Sequence, residues 1–555
     1  MYRTVLLMLA LVMPMGALAQ RRMPDFIIDP SLMVADSAAT RAIPNFSWEW
    51  CSIERFPHVG QPHIPVILIE YSDYLLTYNQ RSDWDQWLNG TATQYDNVYQ
   101  SHGSVAEYFD YCSGGKFRPV FDIYGPYRLA ESHTAYGNNK EVDLVKAALK
   151  VIGGDIDFSQ YATANPQYCD LVYVIAAGES HGETWKDTDI HPRCGVNFFK
   201  EEFNGIKIRN WGVSNELWIQ KGEKMQTGIG VFCHELSHSM GLPDLYPYVS
   251  KKDYNNDEPE PWDLMDDGEN CIVGFWPHPL NAWERDVMGW IEPDTLSQSR
   301  TVTLYPLADE RGRACKFVNP YNDKEWWMIE NIPAGETIDP QGATVREGWY
   351  RWAQNYAGGR NGLLIMHLDN NEDAKGKPYL ALDAAAKPND AASAQGGQPR
   401  CTVLPADSLL ISSFNVNDNL PTPLPDGTQV PTTRELYDES ILGDLYPGRQ
   451  EVTSLWKFRN YYGNPDYYGN PDTSGLVTDL SDEGFAIRNI TLNNDGSITF
   501  DFYHGDAPTA IEVIKDGKGL MQGECLMQGD SLLQGDIYYI TPHLIVKNRK
   551  LLWVR

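Results

Sequence analysis

Two histidines and a glutamate lie close together in His234-Glu235-Leu236-Ser237-His238, an H-E-x-x-H pattern within an apolar stretch. In a helix, a spacing of four residues places His234 and His238 on one face, where both imidazoles can bind one metal ion. Zn²⁺ is the expected metal, because a catalytic zinc site takes three protein ligands and leaves one position for water. Glu235 lies further around the helix, so we expect it to accept a proton from that water and deliver it to the leaving amine.

A third ligand is predicted downstream, where Gly241 and Asp244 extend the pattern to H-E-x-x-H-x-x-G-x-x-D. Glycine tolerates positive φ, so Gly241 can end the helix and turn the chain back. That turn would bring the Asp244 carboxylate towards the two histidines. Glu258 and Glu260 are near in sequence and compete for the same role, and we favour Asp244.

Five further residues have a chemical interpretation and a plainer one. Met265, in the sequence WDLM, can form an apolar floor under a metal site, although a Met beside a Trp is more often core. Tyr246 can donate a hydrogen bond to the oxyanion of a tetrahedral intermediate, or it can simply pack. Cys51 could cap the zinc as a thiolate, but other cysteines are equally available. For His367 we favour a structural role, and for Cys233 a place in the core.

The residues before the motif predict strands alternating with helices from about residue 60 to 220. Buried strands are expected at HIPVILIEYSDY, which starts at His63, and over Cys169–Gly178, because both are apolar runs rich in β-formers. Helices are expected within 103–117 and 141–154, where glycines follow an amphipathic stretch. These elements predict an α/β or α+β layer, and together with the motif helix and the β-rich sequence that follows we favour an α+β fold.

Beyond about residue 291 the sequence changes character. A last amphipathic helix is expected over 277–290, and short β-type runs such as EWWMIEN, GLLIMHLD and SITFDFY then alternate with Gly-, Pro- and Asn-rich stretches. We therefore predict a catalytic domain over 62–295, a β-rich region over 296–505 and a C-terminal tail over 506–555. The end of the tail, HLIVKNRKLLWVR, is basic and apolar, so it is either an element read by export or attachment machinery or an ordinary terminal hairpin.

The N-terminus and the composition indicate an exported protein. An apolar run, VLLMLALV, follows Arg3 and precedes the cleavage site Ala17-Leu18-Ala19, so 1–19 is predicted to be a signal peptide and 20–61 a pro-segment. The 555 residues include 45 basic and 75 acidic ones, a formal charge of −30, which argues against nucleic acid and anionic membranes as partners. No later run is long enough for a membrane span, so we expect secretion without membrane insertion.

These features together resemble the M6 metallopeptidases, secreted zincins of the immune-inhibitor-A type. The resemblance rests on HELSHSMGLPDLY, WDLM and AWERDVMGW, extends to PVILIEYSD, to 103–127 and to GLLIMHLD, and covers roughly residues 60 to 410. It implies a zincin- or metzincin-like catalytic domain, zinc-dependent endopeptidase activity and, often, an N-terminal latency segment. By position, it implies zinc ligation by His234, His238 and Asp244, catalysis by Glu235, and a Met-turn at Met265.

Calcium is a second candidate ion. Many members of that family have an Asp-rich stretch that resembles a calcium loop, but the corresponding DFSQYATANPQYCD here lacks most of the carboxylates. Asp253, Asn255 and Asp257 form a separate D-x-N-x-D run. Without the rest of an EF-type loop, we favour a solvated turn over a calcium site there.

We therefore expect a secreted zinc endopeptidase whose partners are protein or peptide substrates. One alternative is a catalytically idle, zincin-fold binding protein at the cell surface, although the intact Glu235 argues against it. Another is a zinc amidase that acts on non-protein amides. A protease cleaves unfolded protein and is silenced by a chelator, an amidase is chelator-sensitive but spares protein, and a binding module does neither.

Overall fold

A computed structural model describes most of residues 56–90, 103–246, 259–333, 361–370, 401–455 and 485–504, with short gaps, and separate segments within 26–28, 336–350 and 537–553. The fold of these residues is mixed, with several β-sheets and few helices. None of the described helices is long and apolar enough to cross a membrane. The predicted signal peptide, Cys51, the D-x-N-x-D run and Glu258 lie outside the described residues.

The first half of the chain builds one large sheet with helices between its strands. The strands are β1 (Phe26–Ile28), β2 (His63–Glu70), β3 (Val120–Arg128), β4 (Tyr168–Glu179), β5 (Arg193–Val196), β6 (Lys207–Gln220) and β7 (Glu223–Gln226). The helices are α1 (Arg81–Asn89), α2 (Val105–Ser113), α3 (Glu141–Val151), α4 (His181–Thr184) and α5 (Gly230–Met240).

This sheet is parallel at its centre and antiparallel at one edge. Its strand order is β1-β5-β6-β4-β2-β3, with β7 also paired to β6. Strands β2, β3, β4 and β6 run parallel, whereas β5 and β7 run antiparallel to β6. Strand β1 pairs in parallel with β5, with Phe26 opposite Cys194.

The predicted strands and helices around the sheet are confirmed. Strands β2 and β4 are buried over nearly their whole length, which is why their sequences are continuous apolar runs rather than alternating ones. Helix α2 begins at a reciprocal capping box between Ser104 and Glu107 and ends at Gly114, which has a left-handed backbone. Helix α3 falls within the predicted stretch 141–154.

The second half is mostly strands. They are β8 (Asp294–Thr295), β9 (Arg300–Leu304), β10 (Ala314–Val318), β11 (Glu325–Ile332), β12 (Glu336–Ile338), β13 (Thr344–Arg346), β14 (Gly362–Asp369), β15 (Cys401–Val403), β16 (Pro421–Pro423), β17 (Gln429–Pro431), β18 (Ala486–Leu492), β19 (Ile498–Tyr503), β20 (Ile537–Thr541), β21 (Leu544–Lys547) and β22 (Lys550–Trp553). The helices are α6 (Ala282–Val287) and α7 (Arg434–Gly443). The runs EWWMIEN, GLLIMHLD and SITFDFY are strands, as predicted.

In this half the last predicted helix is shorter than expected, and the C-terminal tail contains a hairpin. The helix expected over 277–290 is wrong in extent, because α6 starts only after Asn281, whose side chain accepts a hydrogen bond from the Glu284 N–H and caps the helix. The last three strands form an antiparallel sheet, and β21 with β22 makes a terminal hairpin. That agrees with the plainer interpretation of the tail, and an export role stays a prediction.

Strand β11 connects the two hydrophobic cores of the molecule. Trp326 and Met328 belong to the large core that also contains the apolar residues of β2, β4 and α5. Trp327 and Ile329 point the other way, into a smaller core shared with β10, β14 and β19. Because successive side chains of a strand face opposite sides, burial on both faces explains the continuous apolar run from Trp326 to Ile329.

A buried ion pair joins α6 to β11. The Arg285 guanidinium donates to the Glu330 carboxylate, and the Ala282 N–H donates to the same group at 2.8 Å. Arg285 is fully buried and Glu330 is 3% exposed. Burial raises the pKa of Glu330, which Arg285 and the Ala282 N–H only partly offset. Each partner is therefore needed to compensate the burial of the other.

We expect Arg285→Ala to lower the free energy of unfolding by about 3–5 kcal/mol, because it leaves a buried carboxylate without its cation. Arg300→Ala is the matched control, since Arg300 pairs with Asp294 at the surface and should contribute less than about 1 kcal/mol. Urea denaturation followed by tryptophan fluorescence measures both. Equal, small losses in the two variants would contradict this role for the buried pair.

Candidate metal centre

The H-E-x-x-H motif lies on α5, as predicted, and almost every side chain of this helix is buried. Gly241 ends it with φ of 112°, and its N–H donates to the carbonyls of Ser237 and His238 at 3.1 and 2.9 Å. The N–H of Leu242 also donates to the Ser237 carbonyl. These bonds satisfy the last carbonyls of the helix while the chain reverses towards Asp244.

The structure brings His234, His238 and Asp244 together. The Nε2 atoms of the two histidines lie 3.0 and 3.1 Å from one oxygen of Asp244, its Oδ1. One potential ligand atom from each residue lies within 4.8 Å of the other two, and all three residues are buried. This is the arrangement that the glycine-terminated turn was expected to produce.

Backbone carbonyls fix the orientation of both imidazoles. Nδ1 of His234 lies 2.9 Å from the Leu264 carbonyl, and Nδ1 of His238 lies 2.8 Å from the Leu242 carbonyl. A carbonyl only accepts, so each Nδ1 carries the hydrogen and each Nε2 presents a lone pair. Two imidazole nitrogens and a carboxylate that face one point need a proton or a metal cation between them to offset their repulsion. The donor set therefore fits a metal ion.

A carboxylate that the sequence analysis missed increases the negative potential of this centre. Glu269 Oε2 lies 3.4 Å from His234 Nδ1, and Glu269 is 6% exposed. Burial alone would lower the pKa of His234, but Glu269 and Asp244 outweigh it and raise that pKa to about 10. The acidity of WDLMDDGEN was visible in the sequence, but its spacing gave no indication of which carboxylate would reach the motif helix.

The WDLM segment lies against the metal centre through its backbone. The Leu264 carbonyl binds His234, and the Met265 carbonyl accepts a hydrogen bond from the Leu245 N–H at 2.9 Å, one residue after Asp244. The Met265 side chain is fully buried in the large core. This segment thus supports one histidine ligand and the loop of Asp244 at the same time.

Glu235 lies on the same helix but lines a cavity of about 100 Å³, together with His191, Trp218 and Glu269. The backbone carbonyl of Glu235 accepts a hydrogen bond from the Cys194 thiol of β5 at 2.6 Å, which ties the helix to the sheet. The candidate ligands His234, His238 and Asp244 are thus buried, whereas Glu235 lines a cavity.

Glu260, a competing candidate for the third ligand, lies outside the group formed by the two histidines and Asp244. Glu260 is buried, and its carboxylate accepts hydrogen bonds from the Ser413 N–H at 2.7 Å and the Tyr437 hydroxyl at 2.9 Å. The group formed by the two histidines includes Asp244 and not Glu260. Among the described residues, Asp244 is thus the carboxylate placed to complete the set.

The other singled-out residues lie in structural surroundings. Tyr246 is 2% exposed, and its ring stacks on that of His234 at a centroid distance of 6.3 Å, so packing is the role its position supports. His367 is buried in β14 and hydrogen-bonds Glu325 at 2.7 Å, in agreement with a structural role. Cys233 belongs to the large core. It is one of seven buried cysteines among the described residues.

Comparison with known proteins gives one distant similarity. No protein-family model matches the chain. A curated protein of Arthroderma benhamiae, named "Putative secreted metallopeptidase", is 21% identical over 208 residues, which cover 30% of this chain and 29% of that protein. The matched part is thus less than a third of the relative's length. The similarity supports a distant relationship to metallopeptidases as a class and does not distinguish the M6 family, while the buried His–His–Asp group suggests a metal ion.

Asp244→Ala and Glu260→Gln separate the two candidate third ligands that lie within the described residues. We expect Asp244→Ala to weaken zinc binding by more than about 100-fold, because it removes an oxygen from the donor set itself. Glu260→Gln should keep one zinc per chain, since its carboxylate bonds Ser413 and Tyr437 instead. Metal content by mass spectrometry after dialysis against a graded chelator measures both. Zinc loss in Glu260→Gln with retention in Asp244→Ala would reverse the assignment.

Gly241→Ala tests the turn that positions Asp244. A Cβ at a positive φ costs about 1–2 kcal/mol, so we expect the variant to unfold more easily and to bind zinc more weakly. Gly154→Ala is the control, because that glycine has no positive φ and its Cβ would meet nothing within 4 Å. Unfolding by urea and zinc titration are measured on both variants. Unchanged zinc affinity and stability in Gly241→Ala would show that the turn does not depend on glycine.

Proposed function

We propose that this chain is a secreted, M6-type zinc endopeptidase that hydrolyses peptide bonds in proteins or peptides. The observation that carries the proposal is the convergence of His234, His238 and Asp244 beside a cavity lined by Glu235. The distant similarity to a metallopeptidase supports the same class of activity.

Zinc is the proposed metal because of the donor set. Two imidazole nitrogens and one carboxylate oxygen are a combination found in catalytic zinc sites, which keep a further position open. A zinc ion held there supplies Lewis acidity, which polarises a peptide carbonyl and acidifies water. The chain's contribution is to hold the two Nε2 atoms and Asp244 Oδ1 around one point, with the Leu242 and Leu264 carbonyls fixing the imidazoles.

Glu235 is the proposed general base and acid. It follows the proposed ligand His234 directly, and it lines the cavity described above, which we propose receives part of the substrate. There its carboxylate accepts a proton from the attacking water and passes it to the leaving amine, so no covalent bond forms between enzyme and substrate. A buried base in a partly enclosed cavity also acts where few competing waters are present.

The N-terminal segment is proposed to keep the enzyme latent. Strand β1 lies within the predicted pro-segment and pairs with β5. Strand β5 begins directly after Pro192, which lines the same cavity as Glu235. A segment held along this edge occupies a strand position next to the proposed active site.

Glu235→Gln is expected to abolish cleavage of casein while leaving zinc in place. Removal of general acid–base catalysis should reduce kcat/KM by about 10²–10⁴-fold, and the amide keeps the size of the side chain. Fluorescent casein is digested by the processed protein with and without o-phenanthroline, and zinc content is measured on the same samples.

The same assay separates the alternatives. A zinc amidase would be chelator-sensitive but leave casein intact, and a binding protein would hold zinc without hydrolysing any amide. Casein cleavage that survives both the chelator and Glu235→Gln would refute the proposal.

A further inference from the structure

The cavity beside Glu235 has the dimensions of a side-chain pocket. Its volume is about 100 Å³, and a single water needs about 10–15 Å³ in this measure, so it holds more than a few waters. Val231 of α5 and Val273 provide apolar wall, and Trp218 of β6 lines it as well. Glu183 of α4 and His191 are among the polar residues that line it.

Apart from His191, the ionisable residues that line this pocket are acidic. Three acidic side chains line it, those of Glu183, Glu235 and Glu269, and no lysine or arginine is among the described residues that do. The whole chain has a formal charge of −30, which adds to the negative potential. A cationic side chain is therefore the kind of group that this pocket attracts.

Glu183 is the carboxylate in the pocket that the proposed chemistry does not use. Its Oε2 accepts a hydrogen bond from the Ile219 N–H at 3.3 Å, which fixes the side chain. Burial raises the pKa of Glu183 to about 9, and the charge of Glu179 adds to this rise. Glu179 itself pairs with Lys224 and accepts from the Tyr74 hydroxyl, whereas no lysine or arginine among the described residues pairs with Glu183.

The wall opposite is preformed. Ile272 and Val273 have positive φ values of 47° and 60°, which are unusual for β-branched residues. The loop is held by a hydrogen bond of 2.9 Å from the Gly230 N–H to the Gly274 carbonyl. A Cβ on Gly228 would lie 2.3 Å from the Gly274 backbone, so this contact requires glycine. Strained backbone of this kind is found at binding sites that must keep one shape.

We propose that this pocket binds the lysine or arginine side chain of a substrate residue next to the scissile bond, with Glu183 as the specificity-determining residue. The inference rests on the proposed function, because Glu235 places the pocket next to the reacting bond. An arriving ammonium or guanidinium favours the ionised form of Glu183 and donates a charge-assisted hydrogen bond to the carboxylate. Trp218 offers an aromatic wall, and indoles bind cations over their ring faces most strongly of the aromatic side chains.

Calorimetric titration tests the pocket without requiring catalysis. The full-length protein is titrated with acetyl-arginine amide and with acetyl-leucine amide, for wild type, Glu183→Gln and Glu179→Gln. Wild type should bind the arginine probe about 10- to 100-fold more tightly than the leucine probe. Glu183→Gln, which can still accept from the Ile219 N–H, should lose this difference. Glu179→Gln should keep it, since that residue is not among those lining the pocket.

Cleavage-site profiling of unfolded proteins adds the link to catalysis, with lysine and arginine expected to be enriched beside the cut bond. Equal affinities for the two probes in wild type would overturn the proposal, and so would a preference that survives Glu183→Gln. Cuts without basic residues beside them would overturn it as well. A preserved binding preference in a protein that cleaves no peptide would refute the endopeptidase function while leaving the cation pocket intact.

Discussion

Three electron-rich groups buried at one point are the constraint on which this site depends. Nε2 of His234, Nε2 of His238 and Oδ1 of Asp244 lie within 4.8 Å of one another in the interior. Such a cluster is stabilised when each imidazole has its other nitrogen bonded and a proton or a metal cation lies between the Nε2 atoms and the carboxylate. The Leu242 and Leu264 carbonyls meet the first condition. One comes from the turn after Gly241 and the other from the segment that contains Met265, so the backbone on both sides of α5 must be held in place.

The β-rich half supplies much of that support. The Trp262 indole donates to Asp444, and the Glu260 carboxylate accepts from Tyr437, both of which lie beyond residue 430. On the other side, the N–H of Asn281, the residue that caps α6, donates to Asp263. Helix α6 is itself held to β11 by the ion pair between Arg285 and Glu330. The segment from 260 to 265 is thus fixed at several points by elements distant in sequence. The β-rich half is therefore part of the structural support of the candidate metal centre.

How far the sequence predicts this arrangement depends on the range of the interactions. The motif helix, its end at Gly241 and the approach of Asp244 follow from local spacing and the tolerance of glycine for positive φ. The buried strands follow from continuous apolar runs. Glu269, Glu183 and the Leu264 carbonyl could not be predicted, because their places depend on the tertiary packing of segments too short to show a periodicity. Helix α6 was predicted too long, because the amphipathic pattern continued across the proline-rich segment before its cap.

One loop serves both the metal centre and the pocket. In a helix of 3.6 residues per turn, Glu235 is rotated about 100° from His234, so α5 presents its ligands to one side and its glutamate to another. The segment from 264 to 274 contacts both sides of α5. Leu264 orients His234, and Val273 forms part of the pocket wall. Glu269 does both, because it contacts His234 and lines the pocket. A shift of this loop would alter ligand orientation and pocket shape together. The close backbone contacts of Gly228, Gly230 and Gly274 prevent that shift, which explains why a strained turn is retained there.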